Sequence, residues 1–163
     1  MNTCRKESRS RSRFGFLLIA TLLFAVAAPI TGQNPPQSPS ETAFSERTAS
    51  TLLRQLSASL QGHSEKQFLA LFDLAKMKDG PLFKQQSDSF FSQTESIAVH
   101  LNLAETNPET DAPSFAVDAE METQPLNGGP ASRRNERLTF TVARAGKSWK
   151  FVELQPRSFF SLP

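Results

Sequence analysis

The stretch RLTFTVARAGKSWKFVEL, residues 137–154, decides the fold. Leu138, Phe140 and Val142 alternate with Arg137, Thr139 and Thr141. That two-residue period marks a strand with one apolar and one wet face. Ala145-Gly146-Lys147-Ser148 reads as a tight hairpin, and Trp149, Phe151 and Val152 carry the returning strand. A two-residue turn at Gly146-Lys147 fixes the register, with Val142 facing Phe151 and Arg144 facing Trp149.

The same period runs upstream. Ile97, Val99, Leu101 and Leu103 alternate with Ala98, His100 and Asn102. Beyond the turn-rich residues 106–113, Phe115, Val117, Ala119 and Met121 alternate with Ala116, Asp118, Glu120 and Glu122. The apolar set is odd-numbered here and even-numbered on the strand from Arg137, so residues facing each other must sum to an odd number. That predicts Asp118 or Glu120 opposite Arg137 as a cross-strand ion pair on the outer face. Pro125, Asn127, Gly128, Gly129 and Pro130 mark a loop between these strands, and Arg133-Arg134 reads as a solvated charge pair within it.

Before Ile97 the period is 3.6. Ala49, Leu52, Leu53, Leu56 and Leu60 form one helical stripe that Gly62 ends. Ser64-Glu65-Lys66-Gln67 reads as a capping box opening a short helix with Phe68, Leu71 and Phe72 on its buried face. Asp79-Gly80-Pro81 opens a third helix, with Leu82, Phe83, Phe90 and Phe91 as its stripe. The reading is an α+β domain with three N-terminal helices packed on a curved antiparallel sheet.

The N-terminal end carries a different signal. Arg5, Lys6, Arg9, Arg11 and Arg13 precede the uncharged run Phe14–Ala28, and Ala25-Val26-Ala27 supplies small residues for cleavage. This is the order of a secretory signal peptide, and the apolar run is shorter than the ~18–20 residues of a membrane span. Residues 1–28 are therefore expected to be a signal, 29–44 a proline-rich disordered linker, and 45–163 the domain. The product is expected to be secreted or periplasmic, or else held at the membrane by an uncleaved N-terminal segment.

Removing the leader changes the charge. The whole chain has 18 basic and 16 acidic residues, but beyond residue 27 there are 13 basic against 15 acidic. The basic pI belongs to the leader, so nucleic-acid binding has no support. The single cysteine, Cys4, also lies there, leaving the domain without disulfides or thiolate ligands. Fourteen phenylalanines and no tyrosine mean that rings without a polar handle must make the core.

Helices followed by a meander closed by Gly146-Lys147-Ser148-Trp149-Lys150-Phe151-Val152 resemble the nuclear transport factor 2-like superfamily, and its small SnoaL-like exported bacterial members above all. The residues Phe68-Leu69-Ala70-Leu71-Phe72-Asp73 and Leu138-Thr139-Phe140-Thr141-Val142 carry the rest of the likeness. The resemblance implies a cone-shaped, cystatin-like sheet around helices, with a pocket that Phe72, Phe90, Val99, Val117, Phe140, Trp149 and Phe151 would line. It also implies either isomerase or dehydratase chemistry, or ligand binding and dimerisation without catalysis.

Catalysis in such a cone needs an inward Asp, Glu or His whose pKa burial can raise. His100, Asp118, Glu120 and Glu122 fall on the outer phase. Glu153 falls in phase with Trp149 and Phe151 and is the sharpest candidate base, followed by His100. A bulge after Phe151 would instead turn Glu153 outward and Val152 and Leu154 inward, the arrangement their apolar character favours. His63 sits beside a helix cap. Two histidines, no H-E-x-x-H, no phosphate-cradling glycine loop and no G-x-S-x-G elbow imply neither metal nor cofactor. The sequence therefore points first to a non-catalytic module that binds a small apolar ligand or pairs through its sheet face, as a homodimer or with a partner. A pocket enzyme using a buried carboxylate is the alternative.

Overall fold

The computed structural model describes residues 43–108 and 110–161; the expected leader and most of the expected linker lie outside them. The order is α1 (Glu46–Gln61), α2 (Glu65–Ala70), α3 (Gly80–Gln93), then β1 (Thr94–Asn107), β2 (Ser114–Pro125), β3 (Ser132–Ala145) and β4 (Ser148–Gln155), with a 3-10 turn at Arg157–Phe160. The four strands form one antiparallel meander in the order β1-β2-β3-β4.

Local chemistry explains most boundaries. Ser45 caps α1, its side chain accepting the Thr48 amide, and the five expected apolar residues of the stripe are buried. Gly62 closes the helix, but the left-handed residue is His63, at φ 49°. The capping box at Ser64 does not form, since its side chain caps nothing. In α3 the buried stripe is Phe83, Ser87, Phe90 and Phe91, at steps of four, three and one. Leu82 lies about 100° around the helix from Phe83 and is 54% exposed, so it does not belong to the expected stripe. Gly80 is required, because a Cβ there would run into the Leu74 carbonyl.

The sheet follows the odd-sum rule. Val117 faces Leu138 and Asp118 faces Arg137. The ion pairs go elsewhere: Glu120 takes Arg133, on a diagonal, and Arg137 reaches Glu105 at 3.7 Å. The hairpin pairs Val142 with Phe151 and Arg144 with Trp149, and Gly146 supplies its positive φ of 64°. Beyond β4 the edge is closed by Leu71–Asp73: the Phe151 amide donates to the Leu71 carbonyl and the Asp73 amide to the Phe151 carbonyl.

Two differences bear on function. Phe44, expected in the linker, is buried and meets Phe115 at 5.9 Å and Trp149 at 5.2 Å. Arg133 and Arg134, expected in a loop, are ordinary residues of β3, which starts five residues earlier than the strand read from Arg137. The polar run Ser132–Glu136 shows no apolar alternation, so only its pairing with β2 reveals it as strand.

Candidate functional site

The inner face of the sheet is where chemistry would sit, and its phase decides which side chains reach it. Glu153 does not. Thr141 pairs with Glu153 while Val142 pairs with Phe151, so Val152 is the extra residue of a bulge. The bulge buries Leu154 and leaves Glu153 exposed, where Gln155 donates to its Oε1 at 2.7 Å. His100 is exposed as well, standing opposite Glu120 on the outer face. His63 donates from Nε2 to the Thr94 carbonyl at 2.7 Å and sets its ring edge-on to Phe91. Both expected catalytic candidates thus lie outside the cone.

An acid that the sequence reading missed lies in phase. Glu136 follows Leu138 and Phe140 by two-residue steps onto the inner face and pairs with buried Ala119. It is half-buried, and among the described residues its buried Oε2 has no hydrogen-bond partner. Extending the even phase back from Leu138 would have found it. The next inward residue, Arg134, donates from Nη1 to the carbonyls of Ser158, Phe159 and Ser161 at 2.8, 3.2 and 2.7 Å. It anchors the 3-10 turn, and Phe159 and Phe160 of that turn fill the core.

The seven residues expected to line a pocket meet one another or their neighbours. Phe140 and Phe151 lie 4.8 Å apart, Phe72 and Phe151 5.0 Å, and Phe90 touches Phe91 and Phe160. Val99 and Val117 are buried beside them. Trp149 is half-buried at the rim and borders a cleft of about 340 Å³. Aromatic rings thus occupy the interior around these positions, each fully buried one contributing roughly 1.5–3 kcal/mol.

The outer face is polar and ordered by the register. β2 presents Asp118, Glu120 and Glu122; β3 presents Arg137, Asn135 and Arg133 directly opposite them. An acidic row therefore runs beside a basic one. A second charged group ties α2 to α3. Lys84 donates to Asp88 Oδ2 at 2.7 Å, and Asp88 Oδ1 is buried. A proton on Glu65 would let it hydrogen-bond to Asp88, and this, helped by burial, holds the Glu65 carboxyl above its ordinary range. Asp88 is held below its own by Glu65 and then Lys84, and Lys84 is raised by Asp88. Among the described residues no group of three His, Cys, Asp or Glu side chains is placed to hold a metal, and no helix is long and apolar enough to cross a membrane.

The sequence matches no protein-family model and no curated protein. Solved structures do match the fold. A nuclear transport factor 2-like superfamily protein from Salmonella enterica serovar Typhimurium superposes with a TM-score of 0.58 at 10% identity, over 66% of this chain and 86% of that one. A candidate scytalone dehydratase from Novosphingobium aromaticivorans gives 0.58 at 12% identity, over 66% and 79%. A hexachlorocyclohexane dehydrochlorinase gives 0.53 at 11%, over 66% and 80%. The chain has the nuclear transport factor 2-like fold, three helices against an open antiparallel sheet. At these identities the likeness extends to the fold, which hosts unrelated tasks.

Proposed function

We propose that this chain is a binding module, exported from the cytoplasm, that pairs with a second copy of itself through the outer face of its sheet. The observation that carries this is the pair of charged rows. Asp118, Glu120 and Glu122 lie on one strand and Arg133 and Arg137 on the next. A two-fold axis parallel to the strands, lying just above the outer face between β2 and β3, lays each row over its opposite in the partner, the self-complementarity that an isologous interface needs. The ring-filled interior supports the same reading, since a ligand there would have to displace Phe140 or Phe151.

The test is the mass of the protein in solution at low and high salt. A dimer is expected, weakened by salt and broken by the double substitution D118R/E120R. Adding R133E/R137E together with E122R, which exchanges the charges of the two rows, should restore it. A monomer at all concentrations would sink the proposal. Export rests on the leader, and N-terminal sequencing of the mature protein should find it cut after about Ala27.

One observation favours a second reading. The inward Glu136, with its unpartnered Oε2, is the kind of group an acid–base enzyme would keep. Native mass spectrometry of protein taken from its own cells separates the two. A bound small molecule that is lost in E136Q supports the enzyme; an empty dimer supports the module.

A further inference from the structure

The cleft bordered by Trp149 lies between the first half of α1 and the start of β4, away from both the outer face and Glu136. Its volume is about 340 Å³. Leu52 and Trp149 form its apolar part, and Arg47, Thr48, Thr51, Gln55 and Ser148 its polar part. Arg47, Thr51 and Gln55 recur every four residues and so stand on one side of α1. Thr51 is spoken for: it donates to the Arg47 carbonyl and accepts from Arg54.

Among the described residues that line the cleft, Arg47 is the one charged side chain. Among the described residues Arg47 is in no salt bridge, and neither the Gln55 amide nor the Trp149 indole N–H makes a hydrogen bond. Among the described residues no carboxylate lines the cleft. The Trp149 ring is held from two directions: Arg144 stacks over it at 5.4 Å, and Phe44 meets it edge-on. A fixed flat ring beside a planar guanidinium, with no competing acid, suits a flat ligand carrying one negative charge. We propose that this cleft binds a small planar carboxylate, with the Trp149 ring against the ligand's flat body and the Arg47 guanidinium paired to its anionic end. The site is independent of pairing through the sheet.

Trp149 is the only tryptophan of the chain, so its indole N–H gives a single signal in a proton–nitrogen spectrum. The experiment titrates the full-length expressed protein with benzoate and, separately, with the uncharged benzamide. Saturable movement of the Trp149 signal with benzoate is expected, with at least about tenfold weaker binding of benzamide, the preference an ion pair of about 1.4 kcal/mol would give. R47A should remove that preference while leaving the spectrum folded, and R47K should restore part of it. L126A, at the distant loop after β2, should change nothing. No saturable shift, equal affinity for the two probes, or an R47A protein that still prefers benzoate would each overturn the proposal.

Discussion

Glu153 pairs with Thr141 on the outer face of the sheet, although Val142, the next residue along β3, pairs with Phe151 on the inner one. A single bulged residue, Val152, thereby exchanges a carboxylate for the buried side chain of Leu154. The consequence is a sharp contrast between neighbours. E153A should change stability by no more than about 0.5 kcal/mol, as for other exposed sites. F151A, two residues earlier, removes a ring packed on Phe72, Phe115 and Phe140 and should cost about 3–5 kcal/mol in a denaturant titration. A large loss in E153A would mean that the bulge is misplaced.

Glu136 carries the opposite expectation. A buried acceptor without a partner costs roughly 1–3 kcal/mol relative to a satisfied one. E136L keeps much of the volume and removes the orphaned oxygen, so it should stabilise the fold, raising Tm by a few degrees per kcal/mol recovered. Calorimetry reads this directly. A lower Tm would show that Glu136 has a partner that offsets its burial.

Arg134 does for the C-terminal turn what no apolar contact can. Its Nη1 meets three carbonyls, and the turn it holds buries Phe159 and Phe160. R134A should cost about 2–3 kcal/mol, the scale of hydrogen bonds to a charged group. It should also speed hydrogen exchange of the Ser161 amide, which bonds to the Ser158 carbonyl within that turn. R134K, with a point charge in place of the planar fork, should recover only part of the loss. Unchanged exchange in R134A would place the turn's stability in its phenylalanines alone.

These residues also show what the sequence made legible. Strand phase and hairpin register depend on neighbours two residues apart and on one short turn, so the odd-sum phase of β2 against β3 and the Val142–Phe151 pair could be derived, while the choice of Asp118 over Glu120 opposite Arg137 could not. Glu136 and Arg134 could not be placed so easily, because Ser132–Glu136 is polar on both faces and carries no alternation of its own. The partners of Arg134 lie 24 to 27 residues away, across a contact that only the folded chain creates. Phe44 was hidden for another reason: the composition of a proline-rich linker outweighed a single ring. The candidate site was less legible than the fold because it depends on which rings fill the cone, and the eleven identical phenylalanines beyond residue 28 do not declare their neighbours.

The Glu65–Asp88 pair sets the last expectation, a pH dependence. Glu65 is raised by its hydrogen bond with Asp88, then by burial; its contribution is complete below its unfolded pKa and is lost as pH rises through the higher folded value. Asp88 is lowered by Glu65, then by Lys84; its contribution is present above its unfolded pKa and is lost as pH falls through the depressed folded value. The two overlap between the folded values, in mild acid, where one proton is shared and Lys84 balances the remaining charge. The link between α2 and α3 should be strongest there and weaken towards neutrality, by a small amount because both groups are half exposed. Carboxyl NMR titration should find Glu65 above and Asp88 below their ordinary ranges. D88N should bring Glu65 back towards its ordinary range, and E65Q should remove the fall of the urea midpoint between mild acid and neutrality. An E65Q curve that keeps the shape of the parent would show that the two carboxyls do not share a proton.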